Sequence, residues 1–227
     1  MDAPPLTRLR RRTTHRVIAS RYPATGILDR VARPADLDAV FELEAWTNDR
    51  ITTELGILLR LPREEWVVGR PMASVVMAAF CHARHGGGRF NGADRGAWYA
   101  AFSLETAHAE ACYHRGRELL EVGVTDARLE MREYVAELSG AFHDIRADRR
   151  EFRAFHNPDH YGASQRLATR LLADGSNGIV CRSVRHARGT CVACFRPRLI
   201  TNVRIGGHYE YRWSGAGAPT VRRLRPD

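Results

Sequence analysis

The chain reads as an α+β protein whose C-terminal end is rich in strands, and three observations support that reading. Leu37, Val40, Phe41 and Glu44 recur at helical spacing behind Pro34 and Asp36, with Asp36 suited to capping the helix start. Ser103 stands ahead of a second helical pattern that runs to about residue 119, and YGASQRLATRLLADG carries a third that ends at Gly175. The segments GIVCRSV, TCVACFRP, RLITNVRI and HYEYRW then follow as short apolar runs with turns between them.

In chain order, residues 1–15 read as a loose arm and HRVIAS, at 15–20, as a first strand. A helical piece over about 49–61 stops before Pro62. MASVVMAAFCHAR, opened by Pro71, is apolar throughout, and its length does not separate helix from strand. HGGG at 85–88 is a turn or loop, AWYAAF a strand, and RLEMREYVAEL one or two strands broken by Ser139 and Gly140. A polar, arginine-rich loop precedes the third helix. With no repeat and no low-complexity linker, the expectation is one integrated domain. In it, 1–69 form an arm, first strand and helical elaboration, and 70–227 form the core.

At 227 residues and 44% hydrophobic content the chain can bury a sizeable core. No apolar run approaches the roughly 20 residues of a membrane span, and no apolar stretch follows Arg8, Arg10, Arg11 and Arg12 as a secretory signal would require. A cytoplasmic protein without membrane attachment is expected. All 35 basic residues are arginine, and they are scattered, so the net charge of +9 follows composition and not a basic helix face. It suits an anionic small ligand or an acidic partner protein better than direct nucleic-acid binding, for which no motif is present. Five cysteines, an odd number, argue against a disulfide framework. Cys191 and Cys194 form one CxxC without a second pair, in a segment that alternates as a buried strand does. His82 with His85, and His156 with His160, lack a third ligand. HGGG resembles the oxyanion-hole segment of some esterases, but the G-x-S-x-G nucleophile turn is missing.

Arg89, Tyr99 and Glu110 are the chemical candidates. Arg89 follows three glycines and is either a solvated arginine or a cation presented to a ligand at a turn. Tyr99 is either a core aromatic or a pocket wall whose phenol needs a polar partner. Glu110 lies on the shoulder of the helix face formed by Ala107 and Ala111, with His114 one turn on. It either approaches a ligand closely or makes a rim salt bridge to His114 or Arg117. Ser183, between Arg182 and Arg185, is a turn former or a contact for a phosphate or amide.

Together these segments resemble the RES-domain family, toxins of bacterial toxin–antitoxin pairs named for an Arg, a Glu and a Ser. The pattern falls on Arg89 in GGGRFN, Glu110 in TAHAEACYHR and Ser183 in SVRH, with Tyr99 at the family's intervening tyrosine. It continues through YGASQRLATRLLADGSNGIV and SVRHARGTCVACFRPRLITN into HYEYRW, covering about residues 70–214, with HRVIAS at the family's first strand. Cys181 and the basic, glycine-rich HARHGGG loop depart from the usual pattern.

The resemblance implies a compact fold similar to ADP-ribosyltransferases. It also implies NAD as substrate, not cofactor, no metal, and cleavage of the bond between nicotinamide and ribose with water or inorganic phosphate as acceptor. The implied partner is an Xre-family antitoxin. Arg89 would bind phosphate, Tyr99 position the nicotinamide or ribose, Glu110 stabilise the developing oxocarbenium, and Ser183 hold the ligand or shape the pocket, with Arg16 a second phosphate contact. Two alternatives are an ADP-ribosyltransferase that modifies a protein and a non-catalytic basic module that binds nucleic acid.

Overall fold

The computed structural model describes residues 3–22, 26–29, 61–83, 85–215 and 217–225. The helix expected from Asp36 and the one expected over about 49–61, except for its last residue, lie outside these residues. Seven strands form one mixed sheet: β1 (Leu6–Ala19), β2 (Trp98–Ala101), β3 (Asp126–Asp144), β4 (Gly178–Arg182), β5 (Thr190–Cys194), β6 (Ile200–Ser214) and β7 (Thr220–Leu224). Three α-helices accompany them among the described residues: α1 (Ala73–Cys81), α2 (Leu104–Glu121) and α3 (Gly162–Ala173). The α+β expectation holds.

The sheet is organised by β3, which pairs with β1 on one side and with β6 on the other. Beyond β6, its last residues pair in parallel with β4, His143 opposite Ile179. From β4 the pairing runs through β5 to β2, and β2 returns to β1 at the single register pair His15–Ala101. The ring β1–β3–β4–β5–β2 is therefore closed, but only just. Past that one pair, β1 stays with β3 as far as Ala19 while β2 stays with β5. A wedge opens between residues 16–19 and 98–100.

Three sequence expectations are corrected here. The first strand begins nine residues earlier than expected, because 6–14, though mostly polar, hydrogen-bond along β3 from Leu6–His143 onward. Only Leu9 and Thr14 of that stretch are buried, which leaves the other side chains in solvent and hides the strand from a hydrophobicity reading. Ser139 and Gly140 do not break β3. A bulge between Leu9 and Arg12 lies opposite them, where Arg11 N donates to Ser139 Oγ at 2.9 Å and Gly140 adopts φ 139°.

RLITNVRI and HYEYRW form one strand, β6, because Gly206 and Gly207 are accommodated as a bulge and not a turn. The Glu133 carboxylate lies where a Cβ on Gly206 would stand, accepts from Gly207 N at 2.9 Å, and meets His15 Nδ1 at 2.7 Å. A bulky residue at 206 would displace this buried acid.

The helices cover the faces. Apolar on all sides, α1 is correspondingly buried, with Met77 and Phe80 in a core shared with Trp98, Tyr134, Leu138 and Phe142. α3 presents Leu167 and Leu171 to Ile145, Ile179, Phe152 and Phe155. The last two come from a 3-10 turn, Arg150–His156, inside the stretch expected to be polar loop. α2 is capped by Ser103, whose side chain accepts from Thr106 N, and packs on the aromatic ladder Tyr209, Tyr211 and Trp213. A buried knot ties residue 65 to both strands at one end of the β2–β5 pair: Glu65 meets Arg95 at 2.6 Å and pairs with Arg196 through its other oxygen.

Candidate active site

The wedge between β1 and β2, roofed by α2, is a cleft of about 990 Å³ among the described residues. That volume sits at the upper end of ordinary small-molecule pockets, about 300–1,000 Å³. Arg16, Arg89, Tyr99 and Glu110 all line it. Four candidates separated in sequence by up to 94 positions thus share one cavity.

Arg89 is delivered by a tight turn in which Gly88 N donates to Asn91 O at 3.0 Å. Nη1 of Arg89 donates to Phe155 O at 3.1 Å and Asn157 O at 2.5 Å, and the guanidinium lies 4.6 Å from the Tyr161 ring centroid. The cation is fixed by one nitrogen and a stacked ring, and its remaining N–H groups have no hydrogen-bond partner among the described residues. A pre-positioned planar donor of this kind suits a phosphate or carboxylate.

Tyr99 donates to Asn91 Oδ1 at 2.7 Å and accepts from Phe90 N at 2.8 Å. Burial raises its phenol well above the ordinary tyrosine value, so the group is a neutral donor and not a base. The space over this phenol is kept by Gly88, where a Cβ would fall 2.7 Å from the Tyr99 oxygen and 2.5 Å from Asn91 Oδ1. Gln165, on α3, donates to Gly86 O and Gly88 O at 3.1 and 3.0 Å and clamps the glycine turn in place.

Glu110 enters from the middle of α2. Oε1 accepts from Ser183 Oγ at 2.6 Å and stands 3.7 Å from Cys191 Sγ, while Oε2 is 3.9 Å from His114 Nε2. Arg117, the other partner expected of it, pairs with Glu121 one turn further on. Ser183 is placed differently from expectation. It is not part of the cleft wall. Its hydroxyl caps its own turn by accepting from Arg185 N and His186 N, at 3.1 and 3.0 Å, and aims its proton at Glu110. It holds the Glu110 carboxylate in place.

Arg16 bridges the jaws of the wedge: Nη1 donates to Tyr99 O at 2.9 Å and the guanidinium lies 4.9 Å from the Trp98 ring. Burial lowers its pKa to about 10, so it remains a cation at neutral pH.

Asn91 and Tyr161 were not singled out from the sequence, although Asn91 stands in the quoted GGGRFN and Tyr161 opens the third helical segment. Both act by fixing Tyr99 and Arg89, and that role is visible only once the turns are folded. The CxxC expectation is borne out as a core strand: Cys194 is fully buried on the far face of β5, while Cys191 faces the cleft. His156 is built into the fold, with Nδ1 against Phe152 O at 3.0 Å and Nε2 accepting from Arg182 N at 3.3 Å.

A family model described as RES domain matches residues 57–214, more than half of the chain, and the chain belongs to that family. Among curated relatives it is 25% identical over 210 residues to uncharacterized protein y4oC of Sinorhizobium fredii (strain NBRC 101917 / NGR234), covering 88% of this chain and 83% of that one. It is also similar to a chain in the crystal structure of the M. tuberculosis MbcT–MbcA toxin–antitoxin complex, at 16% identity and a TM-score of 0.41, covering 56% of this chain and 73% of that one.

Proposed function

We propose that this protein is the toxin of a toxin–antitoxin pair and that its cleft binds NAD and breaks the bond between nicotinamide and ribose, passing ADP-ribose to water or inorganic phosphate. The observation that carries the reading is the position of Glu110. Its carboxylate shares a cavity with a fixed arginine and a neutral tyrosine and is anchored through one oxygen by Ser183, 2.6 Å away.

Cleavage of an N-ribosyl bond develops positive charge on the sugar carbon, as glycoside hydrolysis does. Nicotinamide leaves from a cationic ring, so the departing group needs no proton. What the protein must supply is grip on the phosphates, orientation of the ring, and an anion beside the oxocarbenium. Arg89 and Arg16 supply the first. Tyr99, its hydroxyl held by Asn91 and by Phe90 N, supplies a fixed flat surface for the second. Glu110 supplies the third. Ser183 holds the carboxylate at a fixed place before the charge appears, which is the arrangement that makes such stabilisation effective.

The proposed partner is an Xre-family antitoxin that covers the cleft, in keeping with the family's pairing. No helix among the described residues is long and apolar enough to cross a membrane. The test is product analysis: purified protein incubated with NAD, with and without inorganic phosphate, is expected to release nicotinamide together with ADP-ribose or its phosphate. Intact NAD after prolonged incubation with folded, antitoxin-free protein would refute the proposal. Label transferred to a protein band, with little free ADP-ribose, would replace it with protein modification.

A further inference from the structure

Cys181 on β4 and Cys191 on β5 stand directly opposite each other in antiparallel register. The phase of the hydrogen bonds between these strands is fixed from both ends. Ser183 N donates to Gly189 O at 2.8 Å, and Phe195 N donates to Asn177 O at 2.9 Å. Hydrogen-bonded and non-hydrogen-bonded pairs alternate, so the Cys181–Cys191 pair, two steps in from Ser183–Gly189, is of the hydrogen-bonded kind. Opposed residues share a face of the sheet, and here that face is the cleft, which both cysteines line.

The pair type decides the chemistry. In a hydrogen-bonded pair the Cβ atoms stand at the wide end of the roughly 4.5–5.5 Å range of opposed residues, further apart than in the alternate kind. A disulfide asks for Cβ atoms about 3.8 Å apart. A direct sulfur–sulfur bond therefore requires the two strands to move, and this ladder sits inside the closed ring of five strands. A bridge with one atom between the sulfurs requires no such movement.

We propose that Cys181 and Cys191 form a two-thiol acceptor site in the cleft wall for a ligand that binds both sulfurs through a single atom, of the class of trivalent organoarsenicals. An oxide of the type R–As=O forms two As–S bonds and loses its oxygen. Both thiol protons leave with that oxygen as one water, and no oxidant is consumed. Capture removes the Cys191 thiol from Glu110, 3.7 Å away, and fills the cleft floor. Burial holds Cys181 up to about 12 and Cys191 well above its ordinary value, so reagents that need a thiolate, such as alkylators and peroxides, react slowly with both. The site does not depend on what the cleft turns over.

The test uses the full chain and phenylarsine oxide, followed by intact mass in the absence of NAD. One phenylarsenic group per chain is expected, removable by dimercaptopropanol. Unfolding and alkylation of the adduct should leave Cys181 and Cys191 alone unmodified. Cys181→Ala and Cys191→Ala should each abolish the adduct, and Cys112→Ala should keep it. Should either cleft variant fail to fold, the alkylation map of the unaltered protein still decides the matter. No adduct, an adduct on another pair, an adduct that survives either cleft substitution, or a Cys181–Cys191 disulfide under mild peroxide would overturn the inference.

Discussion

Replacing Glu110 by Gln removes a charge while keeping a shape. The amide oxygen can still accept from Ser183 Oγ, which lies 2.6 Å from the present carboxylate, so the turn at 183–186 keeps its hydrogen bonds. What disappears is the attraction between a carboxylate and a sugar cation. At a contact distance of about 4 Å and an effective dielectric near 20, suited to a side chain that is 27% exposed, that attraction is about 4 kcal/mol. At 1.36 kcal/mol per decade it corresponds to a loss of about a thousandfold in the rate of bond cleavage. The assay is nicotinamide release under single-turnover conditions, with a melting curve on the same preparation. The expected result is a rate lower by about three decades at an unchanged melting temperature. A Glu110→Gln variant that is properly folded and within about threefold of the parent would show that the charge is not used, and the proposed mechanism would fail with it.

The other predictions concern what holds the site and the fold. Ser183→Ala strips a charge-assisted hydrogen bond from Glu110 and an acceptor from two backbone N–H groups. It should lower activity at least tenfold and stability by about 2 kcal/mol, seen in activity and chemical denaturation together. Gly88→Ala drives a methyl group into Asn91 Oδ1 and the Tyr99 oxygen, so ligand affinity measured by calorimetry should fall while the core stays folded. Glu65→Gln leaves Arg95 and Arg196 without their shared carboxylate. A loss of about 3 kcal/mol follows, read as a melting temperature lower by about 6–12 °C for a chain of this size. Burial lowers the pKa of His156, and both of its ring nitrogens are engaged in the neutral form. A depressed folded-state value means that the unfolded chain binds the proton first. Stability should be full above the ordinary histidine value near 6.5 and decline as pH falls towards the folded value; a His156→Gln variant should show a shallower decline between pH 7.5 and 5.

The residues that act through local pattern were legible in the sequence. Ser103 reads as a helix cap and is one, and Glu110 lies on the predicted shoulder of its helix. Arg89, Tyr99, Glu110 and Arg16 line one cavity. Features set by long-range pairing were not legible. Residues 6–14 are strand only because β3 lies beside them, and their arginines look like those of any exposed arm. Gly206 and Gly207 signal a turn by composition, yet the buried Glu133 turns them into a bulge in a continuous strand. Ser183 was identified as a residue of interest, but its role required coordinates: a serine between two arginines suggests a phosphate, whereas here its proton is committed to a carboxylate.

The register of β1 carries a consequence for how the protein comes into being. Residues 6–19 are made well before their partners on β3, residues 131–143, and the ring of strands to which they belong is completed only by β5, which ends at residue 194. Pairings this distant along the chain form late and slowly. One jaw of the cleft must therefore wait, unpaired, until most of the polypeptide has been made, and a nascent or truncated chain has no cavity with which to act.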